Sequence, residues 1–306
     1  MTEISVVIPT YNRLFELQQT IPSLLAQDLP RDVYEIIVAD SQSSDGTAEY
    51  LSGLAADGAR VRHLPGAYTG RAAARNAGIA AATGGVILFN DSDIIASPDL
   101  LSVHLQRHRA EAHIAVVGLE VQVTSLEEYA AKRDDAGLRN PLHAPTRKRL
   151  PWLYFLTGNA SVRRDDLLRV GSFDEAFTGY GHEDLELGYR IEQAGIPIYY
   201  EPRAVNYHLQ YVPHEDQVEK MKLAGRSTVR FYRKHPHFKV MANLGMTPVS
   251  LGLHAALSKM PWVLGYFDHR ADESAFARNL IQQYYYVSGI KSALWENEDR
   301  RGKNAD

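Results

Sequence analysis

Short β-branched runs alternate with helical spacings along the first hundred residues. Ile4, Ser5, Val6, Val7 and Ile8 read as a strand ended by Pro9. Residues 14–26 put Leu14, Leu17, Ile21, Leu24 and Leu25 on one face of a helix. Residues 35–39 form a second strand, and 47–56 a helix behind a Ser/Asp/Gly-rich approach. A third strand covers 60–64. An alanine-rich helix over 71–82 stops at Gly84 and Gly85, and a fourth strand covers 86–89. This alternation predicts an α/β fold whose mostly parallel sheet is flanked by helices, with right-handed crossovers.

Beyond residue 100 the pattern loosens. Residues 115–124 read as one or two strands. The polar stretch 125–149, with Pro141 and Pro145, predicts a long surface loop. An apolar run follows over 155–162, then a helix over 184–194, a strand over 197–200 and a strand-like segment over 204–207. From 215 on, helical patterns dominate: 215–235 is amphipathic and stops at Pro236, 273–295 is rich in tyrosine, and 300–306 reads as a frayed tail. The pattern therefore divides into residues 1–210, with a regular half to about 100 and a looser half beyond, and a helical C-terminal extension over 211–306.

Composition changes this picture by exclusion. The net charge of −4 argues against a nucleic-acid binder that relies on phosphate contacts. The absence of cysteine removes disulfides and thiolate metal sites. Residues 1–3 lead straight into the first strand, which is not a signal-peptide pattern. The most apolar late stretch, 240–267, is interrupted by Asn243, His254 and Lys259 and does not read as a membrane span. These features predict a cytoplasmic protein. Contact with the inner face of a membrane and homodimerisation through the tail stay open.

Ligands of such sheets bind beyond the carboxyl ends of the strands. The residues there are Thr10, Tyr11 and Asn12, then Asp40, then Asp91, Ser92 and Asp93. Two carboxylates one residue apart can share a divalent cation and a ribose, and oxygen donors suit magnesium or manganese. As an isolated D-x-D, the same residues also fit an ordinary turn. The Glu183–Asp184 pair opens a helix. It is either a cap facing the helix dipole or a rigidly held general base for an acceptor hydroxyl. His208 becomes a metal ligand only if it lies near Asp93, and an imidazole shifts preference towards manganese. Between Gly70 and Gly78, small residues allow close helix–sheet packing. Arg71 and Arg75, four apart near a helix N-terminus, suit a diphosphate. There is no P-loop, no G-x-G-x-x-G after the first strand and no G-x-S-x-G, which weakens kinase, dehydrogenase and hydrolase readings.

In order and spacing, these segments over about residues 4–210 resemble the inverting glycosyltransferases of family two, with the GT-A fold. Val6 to Arg13, including Pro9, is similar to that family's first strand and nucleotide loop. Ile37 to Thr47 is similar to its second, where Asp40 would contact the base. Ala74-Arg75-Asn76-Ala77-Gly78 resembles its central motif. Asp91-Ser92-Asp93 stands where the family keeps its metal-binding D-x-D. Gly158-Asn159 is similar to the element lining the donor sugar, and Tyr207-His208 to the late metal histidine. Gly179 to Leu187 resembles the E-D motif of bacterial chondroitin-type polymerases and polypeptide N-acetylgalactosaminyltransferases. Two positions depart: Ser41 follows Asp40 and Ile94 follows Asp93, where the family often has acids.

The resemblance implies a Rossmann-like GT-A sheet and an Mn2+- or Mg2+-dependent transfer from a nucleotide-sugar, a UDP-sugar in the nearest motif relatives. The acceptor would be a glycan or lipid-linked sugar in polysaccharide or glycoconjugate synthesis. Asp91, Asp93 and His208 would serve the metal. Pro9, Thr10, Tyr11, Asn12, Asp40, Arg71, Arg75, Asp91, Ser92, Gly158 and Asn159 would serve the donor. Asp184 would be the base, with Glu183 orienting acceptor or donor. The rivals are a sugar nucleotidyltransferase, which would need a glycine-rich loop after the first strand, a non-catalytic nucleotide- or glycan-binding protein on a degenerate transferase fold, and a retaining enzyme on the same fold.

Overall fold

The structure, a computed structural model, describes residues 1–56, 58–139, 145, 147–210 and 212–302, with backbone only for 297–302. It comprises two compact units, one formed by Met1–Thr178 with Glu183–Tyr211, the other by Gly179–His182 with Val212–Asp306.

The first unit follows the predicted alternation. Its elements run β1 (Ile4–Thr10), α1 (Leu14–Leu25), β2 (Tyr34–Asp40), α2 (Thr47–Ala56), β3 (Val61–Pro65), α3 (Arg71–Ala81), β4 (Val86–Phe89), β5 (Ile94–Ala96) and α4 (Leu100–Ala110). There follow β6 (Ala115–Val123), α5 (Leu126–Asp134), β7 (Arg149–Leu150), β8 (Ala160–Arg163), α6 (Arg164–Val170), α7 (Glu183–Gln193) and β9 (Ile198–Leu209). Among the described residues, the nine strands make one sheet in the order β3-β2-β1-β4-β8-β6-β9-β5, with β7 also paired to β9. Strands β3, β2, β1 and β4 are parallel. The rest of the sheet is mixed: β8 runs antiparallel to β4 and β6, β6 and β9 are parallel, and β5 and β7 are antiparallel to β9.

Every residue of β1 and β2 is buried, as expected for central strands covered on both faces. Ile4, Val6 and Ile8 of β1 pack with Leu17, Ile21 and Leu24 of α1, and with Ile36 and Val38 of β2. On the other face, α3 approaches closely at Gly78, where an added Cβ would lie 2.4 Å from Val7 Cγ1. The small residues there make that approach possible.

Three expectations are corrected. Pro9 does not end the first strand, which continues to Thr10. The segment 125–149 is not a loop throughout. Helix α5 and a 3-10 turn, Ala136–Arg139, occupy much of it, while 140–144 and 146 lie outside the described residues. The segments 197–200 and 204–207 are one strand, β9. The tail over 300–306 was expected to fray; its helix runs to Gly302, and 303–306 lie outside the described residues.

The second unit is helical: α8 (His214–Lys234), α9 (Phe238–Asn243), α10 (Pro248–Leu257), α11 (Pro261–His269) and α12 (Ala275–Gly302). Val229, Met246, Ile290 and Ala293 form its core. Helices α8 and α12 meet backbone to backbone. A Cβ on Gly225 would fall 2.0 Å from Tyr286 O, and one on Gly289 2.0 Å from Lys222 O. Because the obstacle is main chain, Gly289→Val is expected to cost about 1–3 kcal/mol. Gly252→Ala, with nothing within 4 Å, should be neutral or slightly stabilising. Urea denaturation of the two variants checks the contrast.

Candidate functional site

The carboxyl ends of the strands carry three groups of polar side chains. At the first, two loops are stitched together. Asn12, with φ of 49°, donates its backbone N–H to Ser43 Oγ at 2.8 Å and accepts from Ser44 N–H at 2.8 Å. Asp45 accepts from Leu14 N–H and from Thr47, so one carboxylate caps the starts of α1 and α2. Asp40 is buried at the end of β2. It accepts from Ser43 N–H and Oγ on one oxygen, and its other oxygen lies 3.0 Å from His63 Nε2. On the paired strand, Thr10 lies opposite Asp40 and its buried hydroxyl has no partner among the described residues, while the next residue, Tyr11, is 61% exposed.

The second group gathers around Arg75, the most deeply buried cation of the unit, at 1% exposure. Helix α3 directs it inward, where it donates to Asp91 Oδ1 at 2.7 Å and Glu183 Oε1 at 3.0 Å and lies over the Phe173 ring. Arg71, one turn earlier, is exposed. Burial works against the Glu183 carboxylate, but Arg75 and Arg71 outweigh it and hold its pKa below the usual range. Its Oε2 is buried with no partner among the described residues. Asp184 behaves oppositely: burial, reinforced by the charge of Glu183, raises it to about 7. Two adjacent acids are thus driven apart, one kept ionised and one poised near neutrality, which is how acid–base sites separate roles.

The third group brings distant residues together through strand pairing. Antiparallel pairing sets Ile94 of β5 against His208 of β9, and Leu209 N–H donates to Asp93 O at 2.8 Å. His208 Nε2 therefore lies 3.5 Å from Asp93 Oδ1. Its Nδ1 faces Glu120 Oε1 at 3.3 Å, and Gln122 Nε2 lies 3.2 Å from the same nitrogen. Burial disfavours the imidazolium, but the two carboxylates outweigh it and raise His208 to about 10. Asp93 is lowered in turn: its burial is more than offset by His208. The turn leading into Asp93 is braced by Asn90, which donates to Asp91 O and Ile94 O, and by Thr20, which donates to Ser92 O. Ser92 is itself buried.

Among the described residues, no three His, Asp or Glu side chains gather into a ready cation site. Of the three expected ligands, Asp93 and His208 come together, while one oxygen of Asp91 is engaged by Arg75. A carboxylate and an imidazole this close, once the ring has released its proton, form a donor set that suits manganese or magnesium.

Gly158 and Asn159 have different surroundings. Asn159 is buried; its Oδ1 lies 2.9 Å from His104 Nε2, and its amide donates to Ala204 O and Leu119 O, tying α4, β6 and β9 to β8. Gly158 sits against Glu120, whose Oε2 would be 2.0 Å from an added Cβ, and its carbonyl accepts from Asn206 Nδ2. Sequence reasoning missed Glu120, Gln122, His63 and Gln210, whose side-chain amide donates to Asp93 Oδ2 at 3.4 Å. Glu120 and Gln122 were signalled as two polar side chains within the apolar run of β6.

Residues 5–171 match glycosyl transferase family 2, and 142–214 match the N-terminal domain of galactosyltransferase. The chain is 32% identical over 261 residues to validoxylamine A glucosyltransferase of Streptomyces hygroscopicus subsp. jinggangensis, covering 76% of this chain and 61% of that relative. It is 26% identical over 270 residues to chondroitin synthase of Escherichia coli, covering 76% and 39%. Among solved structures, the mannosyltransferase PcManGT from Pyrobaculum calidifontis, in complex with GDP-Man and Mn2+, superposes with a TM-score of 0.64. The identity is 21%, with coverage of 96% of this chain and 87% of that one. TarS 1–349 of S. aureus in complex with UDP gives 0.60, with 17% identity and coverage of 98% and 92%. These likenesses establish the GT-A fold. Because the family match spans more than half of its length, the chain belongs to glycosyl transferase family 2.

Proposed function

We propose that this chain catalyses inverting, divalent-metal-dependent transfer of a sugar from a UDP-sugar to a hydroxyl of a glycan or lipid-linked acceptor. The observation that carries this reading is the opposed pair at the start of α7, with Asp184 raised to about 7 beside an ionised Glu183. Nucleotide-sugar chemistry is supported by family membership, and uridine by the motif resemblance and by the UDP bound in TarS.

Tyr11 and Asp40 hold the base. Both Asp40 oxygens already have protein partners, but a carboxylate has about four acceptor sites, so a further N–H can be accommodated. Asp91 receives the ribose, and Arg71 faces the diphosphate. Asp93 and His208 would hold the cation, which when bound would offset negative charge on the diphosphate. Glu120 and Gln122 fix the ring of His208 from its other nitrogen. Glu183 Oε2 accepts from a substrate hydroxyl, and Asp184 takes the proton of the attacking hydroxyl. The acceptor oxygen bonds to the anomeric carbon as the carbon–oxygen bond to the diphosphate breaks, with the electron pair leaving on the nucleoside diphosphate.

The test supplies the full chain with UDP- and GDP-sugars, Mn2+ and hydroxyl acceptors, and reads product configuration by NMR. A β-linked product from an α-linked donor is expected. A retained α linkage would contradict inversion. Pyrophosphate release from a nucleoside triphosphate and a sugar phosphate would favour the nucleotidyltransferase, and binding without turnover the degenerate fold.

A further inference from the structure

Residues 220–267 contain eight lysine and arginine residues and no aspartate or glutamate, within a chain of net charge −4. Two of the eight, Lys222 and Arg226, pair with Glu219 and Glu296, and the next acid, Asp268 of α11, lies 2.9 Å from His214. Arg230, Arg233, Lys234, Lys239 and Lys259 of this stretch lie at exposed positions. The same stretch holds an apolar surface. Helix α11 has the sequence PWVLGYFDH and no buried residue, and α10 buries only His254. Val249 and Leu253, four apart on α10, are 80% and 58% exposed, and Trp262 and Tyr266, four apart on α11, are 74% and 53% exposed. Ring contacts run from Tyr266 to Phe267 and on to Phe276 of α12, so the aromatic surface is continuous there.

We propose that this face of the C-terminal unit docks on an anionic lipid surface, with Leu253, Trp262 and Tyr266 entering the headgroup region and the basic stretch facing the lipid charge. Apolar faces with aromatic side chains, rimmed by lysine and arginine, are what interfacial helices present to a bilayer. A second copy of the chain would bring a second basic surface against the first, which is why lipid is the occupant the charge favours. The mode is lying on the surface, not crossing it. Phe238–Leu257 is long and apolar enough by composition to span. The chain breaks there, however: α9 ends at Asn243, and a Thr247–Ser250 capping box starts α10 anew. Ten residues of helix reach about 15 Å, half of a hydrocarbon core of about 30 Å.

The experiment is flotation of the full chain with vesicles of phosphatidylglycerol and phosphatidylethanolamine, and with phosphatidylcholine vesicles. The expected result is partition at least tenfold stronger onto the anionic vesicles, weakened by high salt. Leu253→Asp with Trp262→Asp should reduce it at least tenfold. Lys239→Glu with Lys259→Glu should reduce it by more than the about fivefold expected for each lost lysine. All four side chains are exposed, and unchanged thermal midpoints verify folding. Equal partition of wild type and both double variants would overturn the proposal. So would a failure to float together with a dimer, seen by light scattering, that Leu253→Asp dissociates. No donor or acceptor enters this assay, so its failure is separate from any failure of the transfer reading.

Discussion

Asp184→Asn is expected to lower turnover by about a thousandfold, within the 10²–10⁴ range of positioned general bases, while leaving nucleotide affinity within a few-fold. The side chain is fixed at the start of α7, and a sugar hydroxyl is a weak nucleophile until its proton is accepted. Burial and Glu183 raise Asp184 to about 7, so the base form increases as pH rises through neutrality. Turnover of the wild-type chain should therefore climb with pH to a plateau above about 7. Glu183→Gln removes the neighbouring charge, and the acidic limb should move to lower pH. Rate–pH profiles of the three proteins read this directly. An asparagine variant with wild-type turnover, or a limb that ignores Glu183→Gln, would remove Asp184 from the mechanism.

The second large effect concerns stability. Arg75→Met should destabilise the first unit by about 3–5 kcal/mol, because it leaves Asp91 and Glu183 facing a buried site without their shared cation. In a unit of this size, that corresponds to a thermal midpoint lower by about 10 °C. Arg75→Lys keeps the charge but not the two-pronged geometry and should recover only part of the loss. The acid response follows from the sign of the shift. Glu183 is held below its ordinary 4.5, so its contribution is complete above that pH and is lost as pH falls below it. In Arg75→Met that part of the acid sensitivity should shrink. Urea titrations at pH 7 and pH 4 measure both statements.

The β1–β4 half of the fold and most of the residues along its edge were legible because their signals are local. Three runs rich in β-branched residues, at 4–8, 35–39 and 86–89, each followed by a polar turn, are enough to say what lies at the carboxyl edge. Arg75 was legible as a residue but not in its direction. Its spacing from Arg71 suggested one anion-facing surface, whereas α3 turns it inward to Asp91 and Glu183 and leaves Arg71 outside. Strand β9 read as two pieces because Pro202 cannot donate to a ladder. The structure resolves this with a register shift, in which Gly118 pairs with Glu201 and the next residue, Leu119, with Val205. Helix α5 has no buried residue and so no apolar period to find. Its sign was the capping pattern at Ser125, whose hydroxyl accepts from Glu128 N–H. Glu120 belongs to a third kind of miss: its role depends on β6 lying beside β9, which no local pattern encodes.

The most direct test of the account is calorimetric titration of the full chain with UDP, with and without Mn2+. Tight binding is expected only with the metal. It should be abolished in Asp93→Ala and weakened about ten- to a hundredfold in Glu120→Ala, where His208 loses the group that orients it. Metal-independent binding of equal strength in all three proteins, or no binding of UDP under any of these conditions, would contradict it.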